Sequence, residues 1–168
     1  MELGSTKAAL EFGKKKEKEG DECECVRYFW MASDGGEEEA TLRLADIYRS
    51  GRLVEKDDRE AERLFEAVMS TTAFEYCGNR IEMGFNQQAK ALFVRGGGAV
   101  DDRTASWDDC ANSVHSLVIM DGVDSIGKGV FADFCELERV SIPASVYSIG
   151  SNPFQGCSRL SSIDTSPD

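Results

Sequence analysis

The chain has 168 residues, 41% of them hydrophobic, and a formal net charge of −12. The apolar share supports a packed core and excludes a wholly disordered chain, while the acidic balance argues against nucleic-acid backbones and anionic membranes as partners. No apolar run approaches the ~20 residues of a membrane-spanning helix, and Met1-Glu2-Leu3-Gly4-Ser5-Thr6-Lys7 lacks the basic and apolar segments of a secretory signal.

The first stretch of the chain reads as helices. Ala40, Leu44, Ile47 and Tyr48 follow helical spacing, and Arg49-Ser50-Gly51 breaks it. Ala61, Leu64, Phe65 and Val68 line a second apolar face, which Asp57 or Asp58 can cap and whose first turn carries Glu60 and Glu62. Subtracting 36 positions gives Cys25, Tyr28, Phe29 and Ala32 for the second face, and Ala8, Ala9 and Phe12 for the first. Two helix-turn-helix units with a 36-residue period follow, each hiding one face by stacking. Tyr28, Phe29 and Trp30 cannot all point inward, which leaves Trp30 exposed or touching a neighbouring element. Residues 72–93 have helical composition, with Phe74, Cys77, Ile81, Phe85, Ala89 and Leu92 as inward positions. This stretch is expected to be an atypical helix or helix pair capping the helical stack. Gly96-Gly97-Gly98 and Asp101-Asp102 then read as a flexible joint.

In the last third, apolar residues repeat every 23 positions. Val123, Ile126 and Phe131 recur as Val146, Ile149 and Phe154; Leu137, Val140 and Ile142 recur as Leu160, Ile163 and Thr165. Leu117 and Ile119 stand one period earlier. A period of this size means stacked units sharing one elongated core. Val140-Ser141-Ile142 forms a short strand with Val140 and Ile142 inward, flanked by parallel neighbours Leu117-Val118-Ile119 and Ile163-Asp164-Thr165.

Both halves carry a family resemblance. Ala40-x3-Leu44-Ala45-x2-Tyr48-x2-Gly51-x2-Val54-x2-Asp57-x3-Ala61-x2-Leu64-Phe65 resembles the Sel-like repeat, a cousin of the tetratricopeptide repeat, over about residues 5–70. Its first copy departs from the pattern, with Lys15 in the glycine position. Val146-x2-Ile149-Gly150-x3-Phe154-x2-Cys157-x2-Leu160-x2-Ile163 resembles the BspA-type leucine-rich repeat. There Phe134 takes the cysteine position, and Trp107 replaces a phenylalanine. The resemblances imply scaffolding or recognition through extended surfaces rather than chemistry, and BspA-type repeats also imply a microbial surface role.

Candidate chemistry is thin. Gly122-Val-Asp-Ser-Ile-Gly127-Lys128 satisfies most of a phosphate-binding loop, but Gly129 stands where Ser or Thr should hold magnesium, and Ile149-Gly150 repeats Ile126-Gly127 23 residues later. His115 is the single histidine. A thiol enzyme would pair it with Cys110, yet Cys110 and Cys157 each follow an aromatic residue by three positions, as buried repeat thiols do. Six cysteines without a signal point to reduced thiols, and the Cys23-x-Cys25 pair has no second pair at zinc spacing. The acidic clusters at 37–39 and 57–60 suit helix starts, and Asp101-Asp102 and Asp108-Asp109 lack calcium-loop spacing.

The expected architecture is an α+β repeat protein, with α-helical hairpin repeats followed by a short leucine-rich-repeat solenoid carrying a small parallel sheet. Its parts are a Sel-like region at 1–95, a linker at 96–103 and a BspA-type region at 104–168. The expected function is a non-enzymatic protein-interaction or scaffold module without cofactor or metal, the alternatives being a cell-surface adhesion protein and, more remotely, a Cys-dependent enzyme. Partner contacts are expected at outward Arg43 and Asp46 on the helices and Ser116, Val118, Arg139, Ser141 and Asp164 on the sheet. Neither nucleic acid nor membrane is an expected partner. An open strand edge near Ile163 invites self-association over residues 158–166. The cytoplasm is the expected location, with the cell surface or secretion as the alternative had a signal been removed.

Overall fold

The computed structural model describes residues 3–101 and 110–165, so Asp102, Trp107, Asp108 and Asp109 lie outside the described residues. The chain divides into two units, residues 1–71 and 72–168.

The first unit holds four helices: α1 (Leu3–Glu19), α2 (Glu22–Asp34), α3 (Glu38–Ser50) and α4 (Asp58–Met69). α1 packs on α2, α2 on α3 and α3 on α4, so two helical hairpins stack as the 36-residue period requires. Local chemistry sets the ends. Gly51 closes α3 in the left-handed conformation (φ 63°), its N–H bonded to the Ile47 carbonyl. Asp57 caps α4, its carboxylate accepting from the N–H groups of Arg59 and Glu60 at 3.1 Å. The core holds Ala9, Leu10, Cys25, Phe29, Ala32, Leu44, Ile47, Leu64, Phe65 and Val68, all buried. Phe29 lies so close to α1 that a side chain on Gly13 would meet its ring at 2.6 Å. Phe12, expected inward, is instead exposed and stacks on the half-buried Tyr28, with ring centroids 5.7 Å apart. Trp30 is half-buried, set edge-on to Tyr48 of α3 at 6.4 Å.

The second unit departs from expectation at its start. Residues 72–93 form no helix. They contribute β1 (Glu75–Gly78), β2 (Ile81–Asn86) and most of β3 (Ala91–Gly96), paired as antiparallel hairpins. Asn79 and Arg80, both at positive φ, make the two-residue turn between β1 and β2, which matches the twist of an antiparallel pair. Ile81 of the inward set assigned to a helix also begins a strand alternation with Met83, which that set left out, and pairing with β3 decides between the two periods.

β4 (Gly98–Val100), β5 (Ser116–Ile119), β6 (Val123–Ile126), β7 (Arg139–Ile142), β8 (Ser148–Ile149) and β9 (Ser162–Thr165) follow, with a short 3-10 turn, η1 (Ala111–Ser113), before β5. They build two sheets, one ordered β1-β2-β3-β5-β7-β9 and one ordered β4-β6-β8. From β3 onward all neighbours are parallel, so each coil lays one strand in each sheet. Gly96–Gly98 is therefore no linker. It is the corner between β3 and β4, and the unit boundary falls at Thr71–Thr72 instead. Gly96 has φ 132°, and a Cβ there would meet the Arg80 carbonyl oxygen at 2.0 Å; glycine alone fits this corner.

One backbone motif marks the coils. The carbonyl of Lys90 accepts from the N–H groups of His115 and Ser116, that of His115 from Glu138 and Arg139, and that of Glu138 from Ser161 and Ser162. Lys90, His115 and Glu138 are thus equivalent positions in successive coils. The core between the sheets contains Leu92, Val94, Val100, Leu117, Ile119, Val123, Ile126, Phe131, Phe134, Leu137 and Val140. Phe131 stacks on Phe154 one coil later at 5.9 Å.

Candidate functional site

The seven residues expected to meet a partner are mostly inside. Ser116, Val118, Arg139 and Ser141 are buried, as are Arg43 and Asp46; only Asp164 keeps a half-exposed side chain. A one-sided sheet would leave alternate residues in water, but every residue of β5 and β7 is buried, the pattern of a parallel sheet buried on both faces. Arg139 Nη2 lies 3.4 Å from Ser116 Oγ, joining equivalent sheet positions of adjacent coils. On the helices, Arg43 Nη1 donates to Glu17 Oε2 at 2.8 Å and Nη2 lies 3.4 Å from Glu39 Oε1. Lys14 pairs with Glu39 at 2.7 Å, and Arg52 with Glu17 at 2.7 Å. Arg43 is thus the centre of an ion network tying α1 to α3, and its guanidinium lies 5.8 Å from the Phe29 ring centroid.

The phosphate-loop lookalike is repeat structure. Val123–Ile126 is strand β6, and the Gly127 N–H donates to the Val100 carbonyl at 2.7 Å. These amides serve the ladder rather than a phosphate cradle. Gly150, its equivalent, approaches so closely that an added Cβ would lie 2.6 Å from the Lys128 nitrogen.

No two of the six cysteines are joined. Cys110 packs on the core of the second unit. Cys157 donates to the Phe131 carbonyl at 3.2 Å, and burial, foremost, holds its thiol above the ordinary range. Burial likewise raises Cys77 and pushes Cys25 up to about 11. The thiol that shares a cleft with His115 is Cys135. Phe85, Gln87, Lys90, Asn112, Ser113 and Glu136 complete the lining of this cleft of about 490 Å³. Of its lining residues, His115 has Nδ1 3.7 Å from Glu138 Oε1, and Glu136 pairs with Arg159 of the next coil. Its ionic contacts thus join equivalent positions of neighbouring coils, a structural use of His115 and Glu138. Among the described residues, no group of three or more His, Cys, Asp or Glu side chains could hold a metal, and no helix is long and apolar enough to cross a membrane.

Among the described residues of the second unit, the exposed large apolar side chains are Tyr76 on β1 and Tyr147, Ile149 and Ile163 in the C-terminal coil. Ile126 is 2% exposed, but Ile149, its equivalent, is 50% exposed; Val140 is fully buried, but Ile163 is 50% exposed. Phe154, Cys157 and Leu160 are only partly buried, and Tyr147 is 80% exposed. Each inward side chain is built as in the preceding coil, with no neighbouring coil beyond it among the described residues. Position in the 23-residue period announced their direction, not their exposure.

Comparison with known proteins agrees with this geometry. Residues 104–168 match the BspA type leucine-rich repeat region, described as six copies. A solved leucine-rich repeat protein from Eubacterium ventriosum is similar in fold, with a TM-score of 0.51 and 21% identity, covering 56% of this chain and 26% of its own. The chain therefore spans about a quarter of that protein's length. No curated protein matches the sequence. The chain is a helical unit followed by a strand-rich solenoid whose C-terminal part, residues 104–168, matches the BspA type leucine-rich repeat region.

Proposed function

We propose that the chain is a non-enzymatic protein-interaction or scaffold module. In this reading two Sel-like helical hairpins accompany a leucine-rich solenoid whose extended surfaces dock other protein. The observation that carries it is the match of residues 104–168 to the BspA type leucine-rich repeat region, on which Tyr147, Ile149 and Ile163 are exposed apolar side chains. Exposed apolar surface of this kind marks a protein contact. Asp164 is the one residue of the expected partner set that keeps a half-exposed side chain.

The test is comparative capture from a host-cell lysate by the immobilised chain and by its Ile149→Lys variant. Proteins retained by the first and lost by the second, with circular dichroism unchanged, support the assignment; an identical set of retained proteins refutes it. Adhesion at a microbial surface is a second reading, favoured by the BspA-type match. Labelling of the protein on intact cells by a membrane-impermeant biotin reagent supports it, and failure to label refutes it.

A further inference from the structure

The cleft beside His115 is built on columns of equivalent residues. Lys90, His115 and Glu138 share one repeat position, as their carbonyl bonds show. Counting three back from each gives Gln87, Asn112 and Cys135, and counting two back gives Gln88, Ser113 and Glu136. Neighbouring strands lie about 4.8 Å apart, so the columns bring residues distant in sequence onto one wall. In the later coils the charges of these columns are matched. Glu138 meets His115 at 3.7 Å, and Glu136 pairs with Arg159. The first coil contributes Lys90, which has no acidic partner among the described residues.

Lys90 is held firmly at its root. It ends the tight turn between β2 and β3 at φ 51°, a conformation uncommon for lysine. Its carbonyl accepts from the N–H groups of His115 and Ser116. Buried Asn86 caps the same turn, its side-chain oxygen accepting from the Ala89 N–H at 2.8 Å. Strained backbone that its surroundings over-determine is a recurrent feature of ligand sites.

We propose that this cleft binds a carboxylate carrying an apolar stem, with the carboxylate on Lys90 and the stem against Phe85. Its volume of about 490 Å³ is that of a small-molecule site. Donors dominate the lining: the Lys90 ammonium, the side-chain amides of Gln87 and Asn112, and the Ser113 hydroxyl. The lining carboxylate, Glu136, is neutralised by Arg159. Of the lining residues only Lys90 carries a permanent positive charge, which suits one carboxylate and leaves a phosphate dianion half-compensated. Phe85, partly buried against the core, supplies an apolar wall. The site uses the hairpin turn and the coils that follow it, and it is independent of protein docking elsewhere on the solenoid.

Cys135 and His115 report occupancy, since both line the cleft. N-acetyl-phenylalanine is the probe, with an expected Kd of about 1 mM for its roughly 15 non-hydrogen atoms. At about 10 mM it should slow iodoacetamide alkylation of Cys135 about tenfold, and leave exposed Cys23 of the helical unit unaffected. The ring resonances of His115, the single histidine, should shift with the same concentration dependence. Unslowed alkylation of Cys135 or unmoved His115 resonances overturn the proposal. So does equal protection by the primary amide of the probe, which keeps the stem and lacks the charge. Lys90→Met should weaken the probe by about tenfold, and Lys90→Arg should keep most of the affinity. Methionine leaves a straight chain on the same backbone, and the His115 resonances of the unliganded variant report whether the cleft is intact. Undiminished binding by a folded Lys90→Met variant refutes the assignment. The peptide Gly-Gly-Ser-Phe identifies the source of the carboxylate: tighter binding than the probe points to a polypeptide C-terminus, weaker binding to a small free acid, and either supports the site.

Discussion

The 23-residue period supplies an internal control for burial, because Ile126 and Ile149 are the same repeat position in different surroundings. Truncating either to alanine removes three carbons, a transfer loss of about 2 kcal/mol for a fully buried side chain. Ile126 is enclosed among core residues of the second unit, so its removal also leaves a cavity, bringing Ile126→Ala to about 3.5 kcal/mol. Ile149 is half in water already, so its transfer loss halves and the site opens to solvent, bringing Ile149→Ala to about 1 kcal/mol. Native-state hydrogen exchange on the slowest amides of β5 and β7 measures this in the second unit alone. Protection should fall several-hundred-fold for Ile126→Ala and about fivefold for Ile149→Ala, at tenfold per 1.4 kcal/mol. Equal losses would refute the claim that the last coil lacks its cover.

Three further outcomes follow from particular contacts. Gly96→Ala meets both a positive φ and the Arg80 carbonyl, so it should cost about 3 kcal/mol and lower the thermal midpoint of the second unit; an unchanged midpoint would contradict the corner geometry. Arg43→Ala strips one cation from Glu17 and Glu39, which keep Arg52 and Lys14; a loss of about 2 kcal/mol in urea unfolding is expected, short of the cost of an orphaned buried charge. Cys25, with its thiol pushed from 9.0 to about 11, holds on the order of 100-fold less thiolate at pH 8 and should resist iodoacetamide while exposed Cys23 reacts. A thiol whose folded pKa is raised contributes stability that is full below the unfolded value and is lost as pH climbs from about 9 to about 11, so the helical unit should weaken over that window; labelling of Cys25 as fast as Cys23 would remove the basis for both statements.

Where local signals and packing agreed, the sequence was a good guide. Asp57 and Gly51 bound their helices, and Leu117, Val140 and Ile163 head parallel strands at 23-residue spacing. The hairpin residues 75–96 were misread because an apolar set can satisfy more than one period, and only the neighbouring strand selects between them. Asn79-Arg80 gives little warning of a turn, since arginine rarely adopts positive φ. The coil of β3 and β4 was missed for a different reason. Leu92 pairs with Leu117 at a spacing of 25, and Val100 with Ile126 at 26, while later coils keep 23. A two- or three-residue insertion hides a repeat from a fixed subtraction, while β3 and β4 still pair with β5 and β6. The outward assignments failed more fundamentally. Alternation along a strand states which side a residue faces, not whether that side meets water, and Ser116, Arg139 and Ser141 are all buried.

Turn chemistry also gives the solenoid its polarity. A stack of parallel coils has two ends of equal need, since each exposes backbone groups and the apolar side of a coil. At the first coil, the turn between Asn86 and Ala91 folds β2 back antiparallel beside β3, pairing its edge with the chain's own strand, and the reversal through Asn79 and Arg80 adds β1 outside β2. Antiparallel return requires only a tight turn, whereas a parallel neighbour requires a full coil. β9 has neither among the described residues, and its apolar positions stay half in water. The first end of the described solenoid, by contrast, is closed by the chain's own hairpin strand.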